Sequence, residues 1–165
     1  MAMGERPLPA LHPASLLATW FGAGLLPIAP GTWGSLAALP FAWAIATLLG
    51  QAALLIAAAI VFCVGWWAAA QVGRASGIAD EGSIVVDEVA GQWLTLTVVP
   101  PSAAAYVLGF LLFRLFDITK PWPARTAERA IPGGLGVMAD DIVAGFYAAL
   151  LLYVLHEIGR AFFGR

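Results

Sequence analysis

Five long apolar runs constrain the fold of this chain more than any other feature. They are separated by breaks that contain Gly, Pro or charged residues. Several are shorter than the roughly 20 residues that span a bilayer, so their polar ends must reach the headgroups or bend inside the bundle. We therefore predict an all-α, polytopic membrane bundle with about five hydrophobic helices, over Gly34–Leu49, Ala52–Val72, Ile84–Val99, Ala103–Ile118 and Asp140–Ile158.

The composition indicates that the solvent of this chain is lipid. Hydrophobic residues make up 61% and charged residues 11% of its 165 residues, against roughly 45–50% and about 25% in an ordinary soluble domain. The formal net charge is -2, and without a basic excess we expect no nucleic-acid partner. Cys63 is the only cysteine, which excludes a disulfide framework. We treat residues 1–165 as one membrane-embedded domain.

The N-terminal stretch Ala14–Ile28 is apolar, but we do not predict a sixth crossing for it. Pro27 and Pro30 close the stretch, and proline breaks a helix because it lacks the backbone donor. We expect an interfacial or re-entrant segment instead.

The positions of Lys and Arg in short loops predict the orientation in the membrane. The loops that hold Arg74 and Lys120 are expected on the cytoplasmic side, whereas the uncharged turns at 50–51 and 100–102 are expected outside. An odd number of crossings places Arg160 and Arg165 on the far side, against the same rule. The side of the C-terminus therefore stays open.

Two segments share five of ten residues at the same offsets and suggest an internal repeat: GSIVVDEVAG at 82–91 and GVMADDIVAG at 136–145. Each has an Asp, predicted in the first turn of a helix, and a Gly four residues later on the same face. That face can approach another helix closely. The alternative is helix capping by acidic residues, although four carboxylates exceed what two caps require.

Under this topology, four helix ends meet at the cytoplasmic face and bring the unusual polar residues together. Ionisable residues in membrane helices are costly and are by default functional. An ion pair between Arg114 and Asp117, three residues apart, is the simpler interpretation of those two charges, but pairing does not exclude phosphate binding. The converging set is Thr32, Ser35, Asp87, Glu88, Arg114, Asp117, Lys120, Asp140 and Asp141.

The residue types indicate metal-assisted phosphoryl transfer. Clustered carboxylates without a nearby His or Cys suit Mg²⁺, a hard cation that prefers oxygen ligands. Arg and Lys bind phosphate oxygens, and a carboxylate activates water or, in a variant mechanism, attacks phosphorus itself. The turn before Gly31 leads into a helix whose free N–H groups can hold an anion, although this signal is weak by itself.

Four blocks resemble the phosphatidylglycerophosphatase A family in order: FGAGLLPIAPGTWGSLAALP, GSIVVDEVAGQW, FRLFDITKPWPAR and GGLGVMADDIVAG. The resemblance covers roughly Phe21–Leu152. It implies an all-helical fold, Mg²⁺ dependence, and conversion of phosphatidylglycerophosphate to phosphatidylglycerol at the bacterial inner membrane. The two acidic motifs of the family fall on Asp87–Glu88 and Asp140–Asp141, and its basic motif falls on Arg114, Asp117, Lys120 and Pro121.

We combine the residue pattern with this resemblance to assign a predicted site. The expected substrate is phosphatidylglycerophosphate, the expected cofactor is Mg²⁺, and the oligomeric state stays open. Catalysis is assigned to Asp87, Glu88, Asp140 and Asp141; substrate binding to Thr32, Ser35, Arg114, Lys120 and Arg125; and metal binding to Asp87, Glu88, Asp117 and Asp141.

Two other classes of function compete with a phosphatase. A small ion-coupled transporter also uses intramembrane carboxylates and repeats, but its charges should lie near the midplane rather than at one surface. A structural membrane subunit explains the helices but not the convergence of both charge signs.

Overall fold

The computed structural model describes residues 7–78, 81–122 and 131–163. Within these ranges the regular structure is entirely helical. The described residues form six α-helices, α1 Pro13–Ala18, α2 Pro30–Leu49, α3 Gln51–Ser76, α4 Val86–Leu96, α5 Ala103–Thr119 and α6 Gly134–Phe163, and a 3₁₀ turn at Ala23–Leu25.

All five predicted hydrophobic runs form helices, α2 to α6, which confirms the all-α class. Three of them are long and apolar enough to cross a membrane: α2 with 20 residues, α3 with 26, and 29 residues of α6. Pro30 stands at the start of α2, where a missing N–H costs nothing because the first turn has no intrahelical acceptor for it. Gly77 ends α3 in the left-handed region, at φ 75°.

Helix α4 is the central helix of the bundle. It has only 11 residues, and nine of them are buried. It packs against α2, α3, α5 and α6, and the Trp93 indole donates a 2.9 Å hydrogen bond to the Ala38 carbonyl of α2. A helix of this length rises about 16 Å, too little to span a bilayer, so α4 stands inside a ring of longer helices.

The outer faces of the longer helices are apolar and exposed. Ile56 and Ile60 on α3, Leu111 on α5 and Phe146 on α6 are each more than half exposed. A soluble monomer rarely shows so continuous an apolar surface. These faces fit a lipid environment, as the composition predicts.

The N-terminal segment does not form a spanning helix. It consists of α1 and the 3₁₀ turn, and the Ala18 carbonyl accepts a 2.8 Å hydrogen bond from the Val85 amide before α4. Phe21, Leu25 and Ile28 are 64%, 62% and 77% exposed. A short helix fixed to the bundle with an exposed apolar face matches the predicted interfacial segment.

The predicted start of the last helix is wrong, by more than any other helix boundary. Helix α6 begins at Gly134 rather than Asp140, and its first turn holds no acidic residue. Two glycines and a preceding proline disfavour a helix there, but the backbone of Gly134 packs tightly against Ala70 of α3, and this contact stabilises the extra turns. Asp140 and Asp141 therefore cannot cap α6.

The helices alternate in direction, so their ends meet in two groups. The starts of α2, α4 and α6 and the end of α5 line one cavity; we call this end of the bundle the site end. At the opposite end the Gln51 side chain hydrogen-bonds to the Val99 carbonyl, which brings the two uncharged turns together. The four helix ends that the predicted topology places on one side do meet at one end of the bundle.

Candidate active site

An open cavity of about 640 Å³ occupies the site end. Four helices contribute to its wall, and the charged side chains come from α4, α5 and α6. Its ionisable lining residues are Asp87, Glu88, Arg114, Asp117, Lys120, Asp140 and Asp141, with Ala29–Gly31 at the start of α2 and residues 131–133 before α6.

Three carboxylates in this cavity can hold a metal ion. Asp87, Glu88 and Asp141 each offer an oxygen, and these oxygens lie within 4.8 Å of one another. Among the described residues, each of the three side chains also has a buried carboxylate oxygen without a hydrogen-bond partner. Buried, unpaired carboxylate oxygens are costly, and a hard divalent cation with oxygen ligands satisfies them. The donor set therefore fits Mg²⁺.

The electrostatics of Asp87 point the same way. Burial raises the pKa of Asp87 well above its ordinary value, and the neighbouring carboxylate of Glu88 raises it further. The negative charges of Asp141 and Asp140 act in the same direction. A bound cation opposes all of these effects, because it favours the ionised form of each ligand.

Two cationic side chains, Arg114 and Lys120, line the same cavity. Arg114 forms an ion pair with Asp117, and its Nη1 lies 3.8 Å from a Glu88 oxygen. Lys120 Nζ lies 2.6 Å from an oxygen of Asp140. The ion pair within α5 expected from the sequence is present, and it leaves Arg114 facing the cavity. Two fixed cations beside a metal-binding group suit a multiply charged phosphate.

Gly31 allows the first turn of α2 to approach the charged side chains of the cavity. A Cβ at this position would overlap the Glu88 carboxylate and lie 3.2 Å from Arg114 Nη1. A side chain here would have to displace the Glu88 carboxylate, so glycine lets the first turn of α2 contact both charged groups in this arrangement. The N-terminal end of that helix carries a partial positive charge, which adds to the positive potential of the cavity.

Two residues predicted to bind substrate, Ser35 and Thr32, do not line the cavity. Ser35 is fully buried; its hydroxyl donates to the Gly31 carbonyl at 2.8 Å and accepts from Arg114 Nη1 at 3.4 Å. This geometry gives Ser35 a role in positioning Arg114. Thr32 is partly buried in the first turn of α2 and is not a lining residue. Arg125 lies outside the described residues.

The sequence repeat marks the contact that assembles the site. Gly91 of α4 and Gly145 of α6 cross backbone to backbone: a Cβ on Gly145 would lie 2.6 Å from the Gly91 carbonyl oxygen. The Thr95 hydroxyl lies 2.9 Å from the Gly91 carbonyl and 3.3 Å from the Gly145 carbonyl. Because Asp87 and Asp141 stand four residues before these glycines, the crossing brings the two carboxylates together. The predicted close approach is confirmed.

One buried polar residue near the site was missed by the sequence reasoning. Gln92 is fully buried in α4, four residues after Glu88, and both polar atoms of its amide lack a hydrogen-bond partner among the described residues. A buried, unpaired amide is costly. The signal available in the sequence was a Gln at helical spacing from the acidic pair, inside an apolar run.

The fold and the site together define a class of protein: a lipid-facing helical bundle with an acidic, cation-flanked cavity at one end, as a membrane phosphatase requires. Comparison with known proteins gives the family. Residues 16–156 match the family model described as phosphatidylglycerophosphatase A. This chain belongs to that family and is a phosphatase.

Individual relatives agree with the family match. The chain is 44% identical to phosphatidylglycerophosphatase A of Escherichia coli strain K12 over 87% of its length and 84% of the relative. It is 39% identical to the Haemophilus influenzae protein of the same name, over 88% of this chain and 90% of the relative. A Bacteroides thetaiotaomicron relative, provisionally named a phosphatidylinositol-3-phosphatase, is 42% identical over 84% of this chain and 91% of the relative. No solved structure matches the chain.

Proposed function

We propose that this protein hydrolyses phosphatidylglycerophosphate to phosphatidylglycerol and phosphate, in an Mg²⁺-dependent reaction of phospholipid biosynthesis. The observation that carries the proposal is the convergence of Asp87, Glu88 and Asp141 beside Arg114 and Lys120 in one open cavity. Two relatives that are named for this activity match this chain over more than four fifths of both sequences, and they support this choice of substrate.

Each group in the cavity has a role in this reaction. Asp87, Glu88 and Asp141 would hold the metal, with Asp117 beside them as a further candidate ligand. When bound, Mg²⁺ offsets charge on the phosphate and promotes ionisation of water. Arg114 and Lys120 bind the remaining phosphate oxygens, since a substrate of about three negative charges needs fixed cations besides one divalent ion.

In the hydrolysis, the oxygen of water bonds to phosphorus, the bond from phosphorus to the glycerol oxygen breaks, and that oxygen receives a proton. A carboxylate of the site takes the proton from the attacking water. The variant in which an aspartate attacks phosphorus first, and water then releases the phosphate, uses the same groups.

We propose that the enzyme lies in the bacterial inner membrane with its site end on the cytoplasmic side. Arg74, Arg114 and Lys120 lie toward this end, whereas the turns at 50–51 and 100–102 carry no charge. Positive residues favour the cytoplasmic side. Arg160, near the end of α6, runs against that rule.

Phosphate release from the purified full-length protein tests the proposed function. Mixed micelles with phosphatidylglycerophosphate would be assayed in Mg²⁺ and in EDTA, with Asp87→Asn, Asp141→Asn and the control Glu157→Gln. Glu157 pairs with Arg160 on the surface at the other end of α6. We expect EDTA and each Asp→Asn change to lower turnover about 100-fold or more, with thermal melting unchanged or raised because buried negative charge is removed.

Full turnover in EDTA would refute the role of the metal, and a near-normal rate of either Asn variant would refute the site. The name of the Bacteroides relative provides a second substrate, phosphatidylinositol 3-phosphate. Faster turnover of that lipid would change the assigned headgroup, and hydrolysis of neither lipid would refute the function.

A further inference from the structure

A second groove lies beside the catalytic cavity and shares a wall with it. Its volume is about 570 Å³, and Pro132 and Gly133 line both spaces. The remaining lining residues are Gly134 at the start of α6 and, on α3 and its C-terminal cap, Trp66, Ala69, Ala70, Gly73, Arg74 and Gly77.

The α3 side of the groove is a continuous stripe that runs toward the site end. Trp66, Ala70, Arg74 and Gly77 recur at three- and four-residue spacing and so lie on one face of the helix. The stripe extends about 17 Å along the axis, from within the apolar part of α3 to its C-terminal cap. The small residues Ala69, Ala70, Gly73 and Gly77 keep this wall of the groove low. The Gly134 backbone packs on Ala70, so the open space lies alongside that contact, and Trp66 is 46% exposed. This shape suits a hydrocarbon chain that enters from the side.

The polar end of the groove carries a positive charge. Arg74 stands in the last turns of α3 and is exposed. Its Nε donates to the Ala70 carbonyl at 3.0 Å and its Nη2 donates to the Gln71 side-chain oxygen. Both acceptors are neutral, so among the described residues no carboxylate neutralises this guanidinium. An anionic group at the end of the groove would complement it.

We propose that this groove binds the phosphatidyl half of the lipid substrate, with Arg74 on the phosphodiester and an acyl chain along the stripe of α3. This inference rests on the proposed function and extends it to substrate selection. The phosphodiester and the terminal phosphate of phosphatidylglycerophosphate are joined by one glycerol. The groove and the catalytic cavity share Pro132 and Gly133, so the terminal phosphate of a lipid whose phosphodiester lies at Arg74 would pass these residues to enter the catalytic cavity.

The arrangement makes Arg74 a residue for specificity rather than for the chemical step. Its loss weakens binding of the ground state and the transition state equally, which raises KM and leaves kcat unchanged. A merely structural arginine, by contrast, would lower the melting temperature or kcat. Gly73, in the wall of the groove, offers an independent test of the acyl-chain site.

The test uses the full-length enzyme in mixed micelles with phosphatidylglycerophosphate of long or short acyl chains. We expect Arg74→Gln to raise KM about tenfold at unchanged kcat, because it removes one charge-assisted hydrogen bond to the substrate. Arg74→Lys should recover part of the lost affinity. Gly73→Leu should raise KM for the long-chain lipid more than for the short-chain lipid. Arg160→Gln, which removes an exposed arginine at the other end of the bundle, should change neither constant.

The outcomes separate this inference from the function on which it rests. If the wild-type enzyme releases phosphate and neither Arg74→Gln nor Gly73→Leu changes KM, the groove does not bind substrate and the inference is overturned. A parallel fall in kcat and melting temperature in Arg74→Gln would also overturn it, in favour of a structural role. Absence of phosphate release by the wild type would overturn the proposed function and this inference together.

Discussion

The crossing of α4 and α6 at Gly91 and Gly145 yields a prediction whose size can be worked from the structure. A Cβ on Gly145 would lie 2.6 Å from the Gly91 carbonyl oxygen, and one on Gly91 would lie 2.6 Å from the Asp141 carbonyl oxygen. The Cβ on Gly91 would also lie 2.5 Å from the Phe113 ring, which must move as well. Ordinary contact of such a carbon begins at 3.4 Å. The helices must therefore separate by up to about 0.8 Å, the difference between 3.4 and 2.6 Å, because both carbonyl oxygens belong to backbone that cannot rotate away.

The stability and the activity should respond to this separation differently. Overpacking costs typically 1–3 kcal/mol, and Ala in place of Gly in a helix recovers about 0.5–1 kcal/mol. We expect Gly91→Ala and Gly145→Ala to destabilise the fold by about 0.5–2 kcal/mol. Turnover should fall more steeply, on the order of 10- to 100-fold, because metal ligation tolerates only about 0.2 Å and a 1 Å displacement at a catalytic group can cost 100-fold.

Gly159→Ala is the matched control, since Gly159 lies in the same helix as Gly145 and a Cβ there meets nothing within 4 Å. It should be neutral or stabilising, by up to about 1 kcal/mol. Thermal melting in detergent and phosphate release under saturating substrate are the two measurements. If the Ala variants at the crossing match the control in both, the crossing does not set the position of the carboxylates and the reasoning fails.

Two further predictions concern the cations and the orientation. Arg114→Lys keeps the charge but loses the bidentate fork, so it should lower turnover about tenfold without unfolding the protein. Lys120→Ala should mainly raise KM. Near-normal kinetics of both variants would remove Arg114 and Lys120 from the site. Ser76→Cys, at the end of α3, should resist impermeant thiol reagents applied to intact cells in a background that lacks the native thiol, and ready labelling would invert the proposed topology.

The helices and the site residues were largely predictable from the sequence, for different reasons. The apolar runs give the helices directly, because hydrophobicity and the breaks by Gly and Pro are local properties. The charged residues stand out because ionisable groups are rare in such runs. Helix boundaries were less predictable: α6 starts before Asp140 because Gly134 packs on α3, and no local pattern contains that contact.

The sequence by itself determined that this chain is a helical bundle for a lipid environment, with its carboxylates and cations near a few helix ends. Only the tertiary structure decided that α4 is the short central helix, that Asp87 and Glu88 meet Asp141, and that Ser35 contacts Arg114 rather than the cavity. The physical reason is the range of the interactions. Periodicity and polarity act within one helix, whereas the register between helices is set by the close packing of small residues far apart in the chain, as at Gly91 and Gly145.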